Sequence, residues 1–234
     1  MIQVRKSEER GHVNHGWLNT YHTFSFADFY DPKFMGFRSL RVINEDSIAP
    51  ARGFGMHPHR DMEILTYVVR GSLAHKDSMG HGEVLGPNEI QRMSAGTGVR
   101  HSEINPSGTE PLHLFQIWIE PATMGTEPGY EQIRFDPQEK KNKLKRLAGP
   151  EGGNGAARIN QDAHMFVAEL VKGVEIPYSL GPGRAAWVHV VRGEIAVGGN
   201  QLRAGDAAAV SGEETLALTG IGAEPGEILL FDLA

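Results

Sequence analysis

Apolar residues in this chain come in short runs of four to eight, and nearly every run ends at a turn signal. Thr66-Tyr67-Val68-Val69 stops at Arg70-Gly71, Leu112 to Ile119 stops at Glu120-Pro121, and Trp187-Val188-His189-Val190-Val191 stops at Arg192-Gly193. Runs of this length between frequent glycines (29) and prolines (13) predict β-strands, and hence an all-β barrel or sandwich. Helical periodicity is scarce. One short helix is expected over 136–147, opening at Asp136-Pro137. The aromatic stretch from Phe24 to Tyr30 shows partial period-two spacing and reads as an edge strand packed on the core.

The pattern repeats. Thr66 to Ala74 resembles Val188 to Ala196 at an offset of 122 residues. Val84-Leu85-Gly86-Pro87-Asn88-Glu89 resembles Leu202-Arg203-Ala204-Gly205-Asp206-Ala207, and Leu112-His113-Leu114-Phe115 resembles Ile228-Leu229-Leu230-Phe231. Three matches in one order imply two copies of a β unit. The expected division is 1–138, a linker at 139–155, and 156–234.

Bulk composition narrows the function. The 234 residues are 40% hydrophobic and 22% charged, as in an ordinary globular protein. A net charge of -6 argues against a nucleic-acid surface. The one dense basic run, Lys140 to Arg146, is expected to be a solvated linker or helix face. With no cysteine, disulfides, thiolate metal sites and thiol nucleophiles are excluded. The first residues lack a signal-peptide core and no run of eighteen apolar residues occurs, so a cytoplasmic protein away from membranes is expected. No G-x-S-x-G and no helix-opening G-x-G-x-x-G is present, which leaves hydrolase and dinucleotide-binding readings without support.

The candidate chemistry lies in two pairs, His57-Pro58-His59 and His101-Ser102-Glu103. Residues two apart on a strand share a face, ~6.6 Å apart, so each pair can offer two ligands to one ion. Three imidazoles and one carboxylate suit Fe, Mn, Ni, Cu or Zn. The second copy is an internal control. His57 and His59 fall on Ser179 and Gly181, and His101 and Glu103 fall near Thr219 and Ile221. Nine of eleven histidines lie within the first 113 residues, so the chemistry belongs to the N-terminal copy.

Glu63 shares the parity of the first pair, but a regular strand would carry it ~13 Å from His59. It is expected to accept an imidazole N–H or to sit at the rim, with Glu103 as the acidic ligand. The loop Ser94 to Arg100, with Gly96 and Gly98, is expected to turn the second pair inward. His12, His15, His22, His75 and His81 read as surface or core residues, the last two at a hairpin tip.

Four stretches resemble the pirin family: His22 to Pro32, Leu40 to Asp46, Gly55 to Glu63 and Met93 to Glu103. The resemblance spans about residues 12–121. It implies a bicupin, two antiparallel jelly-roll-like β-barrels in one chain, with the metal in the first and a degenerate second. It also implies His57, His59, His101 and Glu103 as ligands, in place of the general cupin acid at the position of Glu63. The implied metal is iron, with nickel, copper, manganese or zinc as alternatives. The implied activity is that of bacterial pirin-like proteins, a quercetin 2,3-dioxygenase acting on a flavonol and O2, with Glu103 as the base for the 3-hydroxyl. A metal-dependent sensor or regulatory protein is the alternative the family offers, and a cupin isomerase is a third. Because a bicupin pairs its barrels within one chain, the resemblance implies a monomer.

Overall fold

The computed structural model describes residues 1–234, and they form two compact units. The first unit comprises Arg10–Phe135 and Glu151–Gln161. Its large sheet runs Gly129–Arg134, Glu89–Ser94, Glu63–Arg70, Leu112–Ile119, Leu40–Ile48, Leu18–His22, Gly11–Asn14. Its small sheet runs Gly53–His59, Val99–Ile104, Leu73–Asp77, Gly82–Leu85. Leu18, Ile48, Val68 and Leu114 of the large sheet pack with Leu73 and Leu85 of the small one, so the core lies between the sheets. The strands of both sheets pair antiparallel.

The second unit comprises Met1–Glu9, Asp136–Pro150 and Asp162–Ala234. Its large sheet contains, in order, Ile2–Arg5, Ala207–Ser211, Ala185–Arg192, Gly226–Leu233, Ala163–Leu170, Lys145–Gly149. Its small sheet runs Glu175–Ser179, Thr215–Gly220, Glu194–Val197, Asn200–Arg203. The two small sheets and the strands inside the outer edge of the two large sheets follow the same order, and Glu63–Arg70 and Ala185–Arg192 occupy the same place at the offset read from the sequence. The chain is therefore an all-β pair of cupin-type units. The barrels are open rather than closed, because each sheet keeps its own edge strands.

Several expectations need correction. Residues 1–9 belong to the second unit, where Ile2–Arg5 pairs with Ala207–Ser211. Asp206 secures that strand's end by accepting from Ser7 N–H at 2.7 Å and from Lys6 Nζ at 3.0 Å. The stretch 136–150 also belongs to the second unit and 151–161 to the first, so 139–155 is not a free linker. The helix at 136–147 is one 3-10 turn, Pro137–Lys140. Asp136 and Glu139 do form a capping box, but Lys141 is already extended at φ -75, ψ 115, and Asn142, at φ 54, gives its N–H to Glu169 O at 2.7 Å, so the helix does not continue. In the basic run, Lys140 is buried against Glu227 at 3.1 Å and Lys145 pairs with Glu139 at 2.7 Å. These two lysines tie the 3-10 turn to the strands Gly226–Leu233 and Lys145–Gly149 and are not a solvated face. Phe24 to Tyr30 is not an edge strand; Phe26 and Phe29 exchange two backbone hydrogen bonds around a tight turn. No helix is long and apolar enough to cross a membrane.

Candidate metal centre

Gly53–His59 is the edge strand of the small sheet, and Val99–Ile104 is its antiparallel neighbour. Their register sets His101 opposite His57 and Val99 opposite His59. Strand parity and this register together gather three imidazoles. Ring centroids lie 4.8 Å apart for His57–His59, 4.4 Å for His57–His101 and 4.9 Å for His59–His101. One nitrogen from each falls within 4.8 Å of the others. The edge position leaves His57 and His59 partly exposed, while His101 is buried. The loop before His101 turns through Gly96 at φ 46, where a Cβ would stand 2.1 Å from Thr126 O. Only glycine fits there, which is how this loop aims the second pair.

Glu103 arrives differently. A bulge falls between His101 and Glu103, so Glu103 faces Phe54 in the register. The carboxylate is buried and both oxygens accept from Gln116 Nε2 at 2.9 Å. Glu103 forms a second close group with His101 and His75. The four residues expected as one set are thus divided between two triads that share His101, and the second triad adds His75. The backbone at Glu103 also depends on Gly53, whose added Cβ would lie 2.1 Å from Glu103 O and 2.6 Å from Ile104 Cα. Gly53→Ala is expected to push these strands apart, lowering the melting temperature and nickel affinity together. Unchanged values of both would show that the strands do not need this close approach.

The electrostatics favour a cation. Burial, with the charge of His57, lowers the His59 pKa to about 4. Burial, then His57, His59 and His75, lowers that of His101 to about 2. Both imidazoles are therefore neutral at pH 7, the form that ligates metal. His57 Nδ1 lies 2.8 Å from Gly55 O and, because a carbonyl only accepts, Nδ1 carries the proton. His57 Nε2 is left with its lone pair. His101 Nε2 is buried with no hydrogen-bond partner, which costs about 1–3 kcal/mol if nothing fills it. Burial raises the Glu103 pKa to about 7, with Gln116 opposing and Asp46 adding to the rise. Three converging imidazoles, one with an orphaned nitrogen, and a buried carboxyl fit a divalent transition metal.

Glu63 is in neither group. The chain leaves the small sheet at Arg60–Met62, with Asp61 at φ 48, and Glu63 opens a strand of the large sheet. Its carboxylate accepts from Ser94 Oγ at 2.7 Å. His22 bonds Asn44 at 2.8 Å and His12 stacks on Tyr21, both away from the triads. Sequence reasoning read His75 as a surface or core residue and gave Asp77 no role. His75 is buried, its Nδ1 3.5 Å from His101 Nδ1 and its Nε2 3.1 Å from Asp77 Oδ2. The signal was available, since His75-Lys76-Asp77 skips one residue as His57-Pro58-His59 does.

Two cupin-type units with an imidazole cluster in the first define a bicupin of the kind the sequence motifs suggest. Residues 3–119 match the family described as Pirin, and residues 146–233 match the one described as Quercetinase C-terminal cupin domain. The chain belongs to the pirin family. It is 47% identical to the quercetin 2,3-dioxygenase of Escherichia coli K12, over 100% of this chain and 99% of that protein. It is 38% identical to a pirin-like protein of Caulobacter vibrioides over the full length of both. The solved structure of the bacterial pirin YhhW from Escherichia coli in complex with nickel(II) aligns with TM-score 0.94 at 45% identity, covering 100% of this chain and 99% of that one.

Proposed function

We propose that this protein is a metal-dependent dioxygenase that opens the heterocycle of flavonols such as quercetin with O2, releasing CO. The observation that carries the reading is the convergence of three imidazoles, with His101 Nε2 buried and unpaired, in a chain so similar to a quercetin 2,3-dioxygenase. His57, His59 and His101 would hold the metal with Glu103, and iron is the proposed native ion, with nickel, copper, manganese and zinc as alternatives. A bound ion would supply Lewis-acid activation of the flavonol 3-hydroxyl and a path for electrons to O2.

The chain's own residues provide the rest. Gln116 holds the Glu103 carboxyl in place through both oxygens. With a pKa near 7 when metal-free, that carboxyl is suited to take the 3-hydroxyl proton on an Oε atom. Trp118 packs edge-on against His59 at 5.0 Å and Phe26 edge-on against Trp118 at 5.4 Å. Both line a cleft of about 340 Å³ with Phe29, Tyr30, Met62 and Arg41. Its apolar aromatic walls suit a planar ring and its guanidinium suits a phenolic oxygen.

Aerobic incubation of metal-loaded protein with quercetin is expected to consume O2 and release CO in equal amounts, with no reaction under anaerobic conditions. Full metal loading without turnover across a flavonoid panel would contradict the dioxygenase and favour a sensor.

A further inference from the structure

Behind the imidazole cluster a line of hydrogen bonds runs away from His101. His101 Nδ1 is 3.5 Å from His75 Nδ1, His75 Nε2 is 3.1 Å from Asp77 Oδ2, and His81 Nδ1 is 3.0 Å from the same oxygen. The other Asp77 oxygen accepts from the backbone N–H of Met79 at 2.9 Å and of His81 at 3.0 Å. Tyr130 stacks on both His75 and His81, with ring centroids 4.9 and 4.7 Å away. The planes of the relay are thereby fixed.

We infer that Asp77 and His75 are positioning residues for the metal centre: their one-way hydrogen bonds hold His101 in the Nδ1–H tautomer, so that Nε2 presents its lone pair to the cation. A carboxylate only accepts, so His75 Nε2 carries the proton. His75 Nδ1 is then an acceptor, and the proton between the two rings belongs to His101 Nδ1. That leaves His101 Nε2 bare, and it is this atom that is buried with no partner. Direction therefore passes from Asp77 through two imidazoles to the metal face, one ring longer than the usual carboxylate–histidine–metal arrangement. A cation placed instead between His75 and His101, in the triad with Glu103, would leave His101 Nε2 buried and unsatisfied. The inference rests on the metal-centre reading above.

Asp77→Asn tests it with little change of shape. The backbone N–H groups of Met79 and His81 claim the amide oxygen, so the amide nitrogen faces His75 and donates to its Nε2. Each bond in the relay reverses, and His101 carries its proton on Nε2, where the metal must bind. Two measurements apply. Long-range 1H–15N spectra of the metal-free wild type, labelled at histidine, are expected to show His75 as Nε2–H and His101 as Nδ1–H, with both reversed in Asp77→Asn. Nickel(II) titration is expected to give a Kd about 10–100-fold weaker in Asp77→Asn at an unchanged melting temperature of the metal-free protein. His101 found as Nε2–H in the wild type, or equal nickel affinity in both proteins, would overturn the relay. A wild type with the stated tautomers that takes up no nickel would instead overturn the metal centre, and the positioning role with it.

Discussion

His101→Ala is expected to remove nearly all stabilisation by added metal. His101 is common to both close triads and supplies the one buried imidazole nitrogen at the centre that lacks a partner. Loss of a supporting residue around a metal ligand typically weakens affinity by about 10–100-fold, so loss of the ligand itself should exceed about 100-fold. At free nickel equal to 100 times the wild-type Kd, the wild type gains about 2.7 kcal/mol of stability. The variant, with a Kd at or above that concentration, gains no more than about 0.4 kcal/mol by the same relation. Thermal unfolding with and without nickel reads the difference directly. A variant stabilised by nickel as strongly as the wild type would show that the ion binds elsewhere.

Glu103→Gln is expected to stabilise the metal-free protein increasingly as pH rises. Burial raises the Glu103 pKa from its usual value of 4.5 to about 7, so the folded state binds this proton more tightly than the unfolded chain. The stability this proton contributes is complete below pH 4.5 and is lost as pH climbs through 7. Glutamine stays neutral throughout and shows no such loss. The stability difference, variant minus wild type, should therefore grow by about 3 kcal/mol between pH 4.5 and 8. His59 and His101 have lowered pKa values and act with the opposite sign, but both proteins carry them, so they largely cancel in the difference. Nickel favours the carboxylate and should reverse the ranking at pH 8. Denaturant unfolding of both metal-free proteins across this range measures the trend, and a flat difference would place the Glu103 carboxyl in contact with water.

Much of the fold was readable because strands and turns leave local marks. Period-two spacing put His57 and His59 on one face, and the repeat foretold two β units of similar strand order. What escaped depended on partners distant in sequence or on irregular backbone. Pairing of Ile2–Arg5 with Ala207–Ser211 spans some two hundred residues and leaves no local signature. The bulge after His101 carries Glu103 toward Gln116 and His75, which strand parity alone could not foresee. His75-Lys76-Asp77 obeyed the same parity rule as the ligand pair, but its meaning appears only when His101 lies against it. The capping box at Asp136 was a true signal of helix initiation, overruled when the chain turns extended at Lys141 and Asn142 bonds Glu169.

The central claim is that one ion sits among His57, His59 and His101. Anomalous diffraction at the nickel edge from crystals grown with nickel(II) tests it most directly. The account predicts a single peak in the first unit, about 2.0–2.1 Å from an imidazole nitrogen of each, Nε2 in His57 and His101. A peak centred between His75, His101 Nδ1 and Glu103, or none within reach of the three rings, would contradict it.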